Sequence, residues 1–285
     1  MYNFRLIEMI NVNKENSHWL RVSLYYARND WGKLLSNISI FEEELKNDTS
    51  SCIILFSQEK GDNVRLAVSV DLEKEVELRN LIDNHFTSFI SNNPSTSDKV
   101  LEYGKILWCN YENNSVIWDT YDIATATVAE TTYLNKTSNV VLKLLDNDFS
   151  PDNFYSLSLY LLSKILSNIA PTKRVEAVEQ IIETYSVEFA QFGEYDFATS
   201  DLINQFQISL PDIFEAVTGY WEESEDEESF LDEWKKNADR AIEENSSSYT
   251  LIDNIFYVLG LSLMERLFIL EILHKWLQAN QYEFA

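Results

Sequence analysis

The sequence predicts an α+β protein, with small antiparallel sheets in its N-terminal part and a mainly helical C-terminal half. Three observations carry that prediction. Ser51–Asp71 holds two apolar, β-branched runs, 51–57 and 63–71, around the polar turn 58–62, the pattern of a β-hairpin. Before residue 92 the segments read strand, helix, strand, strand, helix. From Phe154 onward the apolar residues recur at helical spacing.

In chain order, His18–Tyr26 is the first expected strand, with Trp19, Val22 and Leu24 interleaved with Arg21 and Ser23. Trp31–Lys46 is a helix: Trp31, Leu34, Leu35, Ile38, Phe41 and Leu45 are spaced by three and four, and Asp30 is placed to cap it. In the hairpin, Val64, Leu66, Val68 and Val70 share one face, expected to be the buried one. Arg65 projects from the other. It reads either as a functional cation or as an edge-strand arginine in solvent or in a structural ion pair. Glu73–Ile90 returns to helical spacing through Val76, Leu81, Ile82, Phe86, Phe89 and Ile90. This order gives the first part a ferredoxin-like character.

Asn92–Ser97 (NNPSTS) is the expected linker between residues 1–95 and 96–285, which read either as separate domains or as one packed unit. Two more strands, 106–110 and 115–121, flank a turn at 112–114, and Thr125–Asp146 is a helix whose side carries Val128, Thr132, Asn135, Asn139 and Leu142 and whose end is buried through Val140, Val141, Leu144 and Leu145. Helices are then expected over 155–169, 172–191, 229–243 and, as a closing pair joined near Gly260–Ser262, over 251–278. Ser246–Tyr249 is read as a break.

Composition narrows the function. An apolar content of 45% and an aromatic content of 13% describe a folded globule. With 47 acidic against 22 basic residues the net charge is −25, which repels nucleic-acid backbones and anionic membranes and favours a basic peptide or protein partner. No run approaches the roughly 18 apolar residues of a membrane-spanning helix, and the N-terminal stretch lacks an apolar signal core, so a cytoplasmic protein is expected. Cys52 and Cys109 lie in apolar runs without a CxxC or Cys/His cluster, so no metal site is expected. The six glycines are too scattered to cradle a nucleotide, and none of the usual phosphate, zinc-protease or nucleophile-elbow motifs is present. His18, His85 and His274 have no carboxylate or thiol at catalytic or metal spacing and read as surface or boundary residues.

One resemblance goes further. Trp19…Tyr25, Trp31-Gly32-Lys33-Leu34-Leu35, Ile53–Phe56 and Asp62-Asn63-Val64-Arg65-Leu66 resemble the opening of the lantibiotic dehydratase C-terminal family, which carries a "G-x-H-L-R-L-R" strand. Val128–Tyr133 with Ser138 and Val140–Leu145 is similar to that family's "aE..F…S…vl.ll" helix, and the closing ERLFILEILHKWL also fits. The resemblance implies one of two activities on ribosomally made peptides. Some members eliminate glutamate from glutamylated Ser or Thr. Stand-alone thiopeptide relatives join two dehydroamino acids in a formal 4+2 cycloaddition and expel water and the leader peptide to leave a pyridine.

The departures from the family favour cyclisation. The eliminating members carry a second strand arginine, an arginine before the "aE" helix and a late histidine. Here those places read Ala67, 119–127 (DTYDIATAT) and 250–257 (TLIDNIFY). A cycloaddition asks mainly for two peptide arms held face to face and for hydrogen bonds that favour an imidic tautomer and help water leave. The resemblance thus implies Arg65, Ser248, Tyr249 and Tyr257 as the site, with Glu130 at the "aE" position and no metal or organic cofactor. Tyr257 on an apolar helix also reads as a core residue, and Glu130 as the partner of a strand arginine. The expected partner is a leader-bearing precursor peptide, together with other enzymes of its pathway. A lyase with replaced residues and a non-catalytic scaffold that takes the leader as an added strand at the hairpin edge stand beside the cyclase.

Overall fold

The computed structural model describes residues 17–45, 49, 51–96, 110–123, 128–145, 149–150, 153–190, 209–222, 229–243 and 247–280. The chain forms two compact units, Met1–Pro151 and Asp152–Ala285. The α+β expectation holds: one small antiparallel sheet lies in the first unit, and the second is helical.

The sheet contains β1 (Ser17–Tyr25), β2 (Ser51–Ser57), β3 (Asn63–Asp71) and β4 (Ser115–Trp118) in the order β2-β3-β1-β4, all antiparallel. With α1 (Trp31–Leu45) and α2 (Glu75–Asn92) between them, this is the ferredoxin-like arrangement. The hairpin strands match the expected bounds, and the turn between them needs positive φ at Lys60 (57°) and Gly61 (115°). β3 is an inner strand, paired with β1 along its whole length and with β2. Both its faces are also buried, where one had been expected.

On one face Phe56 meets Trp31 of α1 at 5.2 Å, and Trp118 lies under Arg79 of α2. α1 buries the six residues its spacing predicts. Asp30, expected to cap it, lies in a short 3-10 turn. Its carboxylate accepts from Lys33 Nζ (2.6 Å) and from the Thr96 backbone N–H (3.1 Å). α2 turns Leu78, Ile82, Phe86 and Ile90 inward, whereas Val76 and Leu81 are 71% and 45% exposed.

The polar stretch 92–97 does not end the first unit. Ser95 is buried, its hydroxyl accepts from Ala27 N (2.9 Å), and its backbone N–H donates to Asn114 Oδ1 (2.8 Å). Asn114 N–H in turn donates to the Tyr25 carbonyl (2.7 Å), so β4 joins β1 and the division falls after Pro151. The expected strand 106–110 lies, but for its last residue, outside the described residues, as does Cys109; buried Cys52 carries a free thiol.

α3 (Val128–Leu145) packs along β2. Its buried positions include Ala129, Glu130, Tyr133, Leu134, Thr137 and Ser138, and, as expected, Val140, Val141, Leu142 and Leu145. Thr132, Asn135 and Asn139 are half-buried, and Asn135 Nδ2 donates to the Cys52 carbonyl (2.7 Å).

The second unit holds α4 (Asn153–Ser167), α5 (Pro171–Ala190), α6 (Leu210–Glu222), α7 (Ser229–Glu243), α8 (Ser248–Val258) and α9 (Leu263–Ala279). α6 is absent from the sequence reading; it packs on α4 and brings Trp221 to Trp276 of α9 (4.9 Å). Arg174 is buried on α5 and donates to the carbonyls of Leu166, Ser167 and Ile169 where α4 ends, a cation at the negative pole of a helix. α8 ends at Gly260 (φ 62°), with Gly260 N–H on the Tyr257 carbonyl and Leu261 N–H on that of Phe256. Ser262 and Glu265 then form the capping box of α9.

None of the three histidines sits in a catalytic arrangement. His18 meets Glu75 (3.3 Å) and His274 meets Glu179 (3.0 Å). His85 stacks on Phe41 (4.2 Å) and shares a hydrogen bond with Asn37 Oδ1 (3.0 Å). Burial pushes its pKa below the ordinary 6.5, and Glu44 opposes that shift. A lowered folded-state value means that the unfolded chain binds the proton more tightly. The contribution of neutral His85 is thus complete above about pH 6.5 and is lost as pH falls through its folded value. In urea titrations, the stability advantage of the wild type over His85→Gln is expected to shrink from pH 7.5 to 5.5; a constant difference would contradict this assignment.

Candidate functional site

The face of the sheet opposite α1 and α2 carries a group of polar side chains beside buried Ile53, Leu55 and Ala67. The antiparallel register places Ser23 and Tyr25 of β1 beside Arg65 and Asn63 of β3 on that face. Arg65 is 9% exposed. Its Nε donates to Asn63 Oδ1 (3.2 Å), its Nη2 to Glu59 Oε2 on the hairpin turn (2.7 Å), and its guanidinium lies 5.0 Å from the centre of the Tyr121 ring. Asn63 is itself fixed, because its Nδ2 reaches the carbonyls of Ser57, Glu59 and Gly61. The residue assigned from the sequence as a possible edge arginine is thus an inner-strand guanidinium, oriented by an amide and a carboxylate.

Tyr25 adjoins this group. Burial pushes its hydroxyl up to about 12, with Arg65 pulling the other way and Tyr111 and Glu59 adding to the rise. Its ring meets Tyr111 at 5.0 Å, and the Ser23 and Thr120 hydroxyls hydrogen-bond at 2.6 Å beside it. At neutral pH the patch therefore presents a guanidinium and a protonated phenol, both hydrogen-bond donors. Ala67, where the resemblance expects a second arginine, stands opposite Arg21 of β1. Arg21 pairs with Asp122 and lies 3.7 Å from Asp119, so a second guanidinium reaches the same face from the neighbouring strand. Glu130 is buried in the first turn of α3, also in the first unit.

Ser248, Tyr249 and Tyr257 belong to the second unit. The expected break at 246–249 ends at Ser247, whose hydroxyl caps α8 by accepting from Thr250 N–H (3.1 Å). Ser248 and Tyr249 therefore lie in the first turn of the helix. Tyr257 is half-buried near its end, eight residues and about 12 Å along the axis from Tyr249. α8 thus carries all three but does not bring Tyr257 to Tyr249.

Tyr249 enters a cluster that the sequence reading does not contain. Its ring lies 5.7 Å from that of Tyr185 on α5. Tyr185 Oη donates to Asp253 Oδ1 (2.5 Å), and Arg266 Nη1 of α9 donates to the same oxygen (2.7 Å). Arg266 Nε is held by the Leu261 carbonyl (2.9 Å). Burial raises the Tyr185 hydroxyl far above its ordinary value, and Asp253 adds to the rise. Tyr249 is raised by burial, then by Asp253 and Glu188. Tyr185 reads as a core position by helical spacing, and Arg266 stands in another helix. Only Asp253, four residues from Tyr249 and Tyr257, offered a local signal. Among the described residues no group of three His, Cys, Asp or Glu side chains is arranged to hold a metal ion, and no helix is long and apolar enough to cross a membrane.

The chain is similar to solved structures that include the following two. The pyridine synthase TbtD from thiomuracin biosynthesis superposes with a TM-score of 0.64 at 13% identity, over 92% of this chain and 98% of its own. TsrL, also 13% identical, gives a TM-score of 0.46 over 94% of this chain and 96% of its own. No protein-family model matches the chain, and no curated protein matches it.

Proposed function

We propose that this chain is a peptide-cyclising enzyme of the thiopeptide type. It joins two dehydroamino acids of a leader-bearing precursor in a formal 4+2 cycloaddition, then expels water and the leader to leave a pyridine. The observation that carries this reading is the fold shared with a pyridine synthase along 98% of that enzyme's length. The sequence resemblance to the lantibiotic dehydratase C-terminal family points the same way, through its stand-alone branch.

In this reading catalysis is mostly positional. Arg65, oriented by Asn63, donates to an amide carbonyl of the substrate in place of the exposed Glu59. That donation favours the imidic tautomer that serves as the diene. Ser248, Tyr249 and Tyr257 are the candidate hydroxyl groups of the second unit, and Glu130 is the candidate carboxylate of the first. Glutamate elimination fits less well, because no arginine stands at 119–127 and no histidine at 250–257. A scaffold that adds a leader strand at the hairpin edge fits less well too, because α3 packs along β2 and Asn135 already holds the Cys52 carbonyl.

Incubating the protein alone with a dehydrated, leader-bearing thiopeptide precursor, followed by mass spectrometry, separates the three readings. Loss of one water with release of the leader is the expected result. Loss of glutamate from a glutamylated peptide would replace the cyclase with a lyase. Retention of an unchanged peptide on the immobilised protein would leave only a binding role.

A further inference from the structure

We propose that residues 119–122 form a strap over the Arg65 face of the sheet, latched by Arg21, and that opening this latch admits the substrate. The strap stands on the geometry of the first unit; its part in turnover rests on the cyclase reading.

Four successive residues leave β4 and attach, one after another, to the same small area. Asp119 N–H donates to the Arg21 carbonyl (2.9 Å), and the Asp119 backbone then turns with a φ of 53°. That is the left-handed region, which few side chains besides those of Asn and Asp adopt. The turn sends the chain back across the strands. The Thr120 and Ser23 hydroxyls meet at 2.6 Å, the Arg65 guanidinium lies 5.0 Å from the centre of the Tyr121 ring, and Asp122 pairs with Arg21. Ser23, Arg65 and Arg21 share one face, because the register sets Ser23 opposite Arg65 and Arg21 opposite Ala67. Tyr121 and Arg65 are both buried, so the ring and the guanidinium shield each other from water. A peptide amide that is to lie on Arg65 from this face has to displace the strap.

The fastening is weak. Asp122 and Asp119 are 68% and 48% exposed, and Asp119 is shared with Arg79 of α2 (3.3 Å). Ion pairs this exposed hold a segment loosely. The closed form also carries a cost. Arg21 Nε is buried without an acceptor among the described residues, and a buried donor left unmade disfavours the state that contains it. The left-handed backbone of Asp119 adds to that cost. Both are relieved when the strap lifts, which brings the open form within reach of a binding peptide. Arg21 is thus a positioning residue, acting on the substrate through the strap.

Modification of arginines by phenylglyoxal, read residue by residue by mass spectrometry, tests the strap without turnover. Asp122→Asn and Arg21→Ala are each expected to speed the modification of Arg65 by roughly threefold to tenfold, the population change that one or two exposed ion pairs supply. Cys52, buried in β2 of the same unit, should keep its wild-type reactivity toward a thiol reagent, which separates strap opening from unfolding. An Arg65 rate equal to that of the wild type in either variant would overturn the strap, as would a rise matched by Cys52. In turnover assays, Asp122→Asn should lower KM by the same factor that it speeds the modification, with kcat unchanged. A substrate that binds only the open form is held back by the fraction closed. An unchanged or raised KM would overturn the gating role. Variants that modify as expected beside a wild type that converts no precursor would overturn the cyclase reading and leave the strap standing.

Discussion

Arg65→Ala is expected to lower pyridine formation at least about 100-fold while the sheet stays folded, the scale seen when one preorganised donor to a developing negative oxygen is removed. The geometry argues for a functional loss larger than the structural one. Arg65 is buried, yet its carboxylate partner Glu59 is 65% exposed on the turn, so removing the guanidinium strands no buried charge. Asn63 keeps its three carbonyl contacts and continues to fix the turn. The stability cost is therefore about 1–2 kcal/mol, from one charged hydrogen-bond set and one cation–π contact. Arg65→Lys should fall between the two, since an ammonium keeps the charge but not the planar fork. Single-turnover conversion followed by mass spectrometry, with circular dichroism on the same samples, checks this. Wild-type conversion by a folded Arg65→Ala protein would remove Arg65 from the site.

Trp31→Ala is expected to cost about 3–5 kcal/mol, the largest stability loss of any single change considered for the first unit. Trp31 is buried between Phe56 of β2 (5.2 Å) and Phe149 (6.0 Å), and its indole N–H donates to the Tyr26 carbonyl (2.8 Å). Alanine removes the ring and the donor together. Trp31→Phe keeps most of the apolar area and loses the donor, at about 1–3 kcal/mol. Urea denaturation reads both, and a loss below about 1 kcal/mol for alanine would contradict the packing role.

Much of the first unit is legible in the sequence because its signals are local. The alternation of Val64, Leu66, Val68 and Val70 and the turn at Lys60-Gly61 locate the hairpin, and the three-four spacing of Trp31 to Leu45 locates α1 and its core face. What sequence spacing does not carry is decided by contacts between distant segments. Arg65 looks like a strand-edge residue until the pairing of β3 with both β1 and β2 encloses it. NNPSTS has the composition of a linker, yet Ser95 is held by Ala27 and Asn114, which draws β4 into the first sheet. Val76 and Leu81 fit a helical stripe, but Leu78 and Ile82 set the face that is buried.

The candidate site divides in the same way. Arg65, Glu130, Ser248, Tyr249 and Tyr257 come from resemblance along the chain. The partners that give two of them an orientation, Asn63 and Glu59 for Arg65 and Tyr185 for Tyr249, come from three-dimensional proximity. Tyr185 and Arg266 lie 68 and 13 residues from Asp253, separations at which no periodic pattern speaks.

The measurement that bears most directly on the central claim is the chemical form of the leader peptide after one turnover with the purified protein. Aromatisation to a pyridine expels the leader by breaking a carbon–nitrogen bond, so the account predicts a leader ending in a carboxamide, formed in equal amount with the cyclised core. A leader that remains attached, or one released as a free carboxylic acid by hydrolysis, would contradict it.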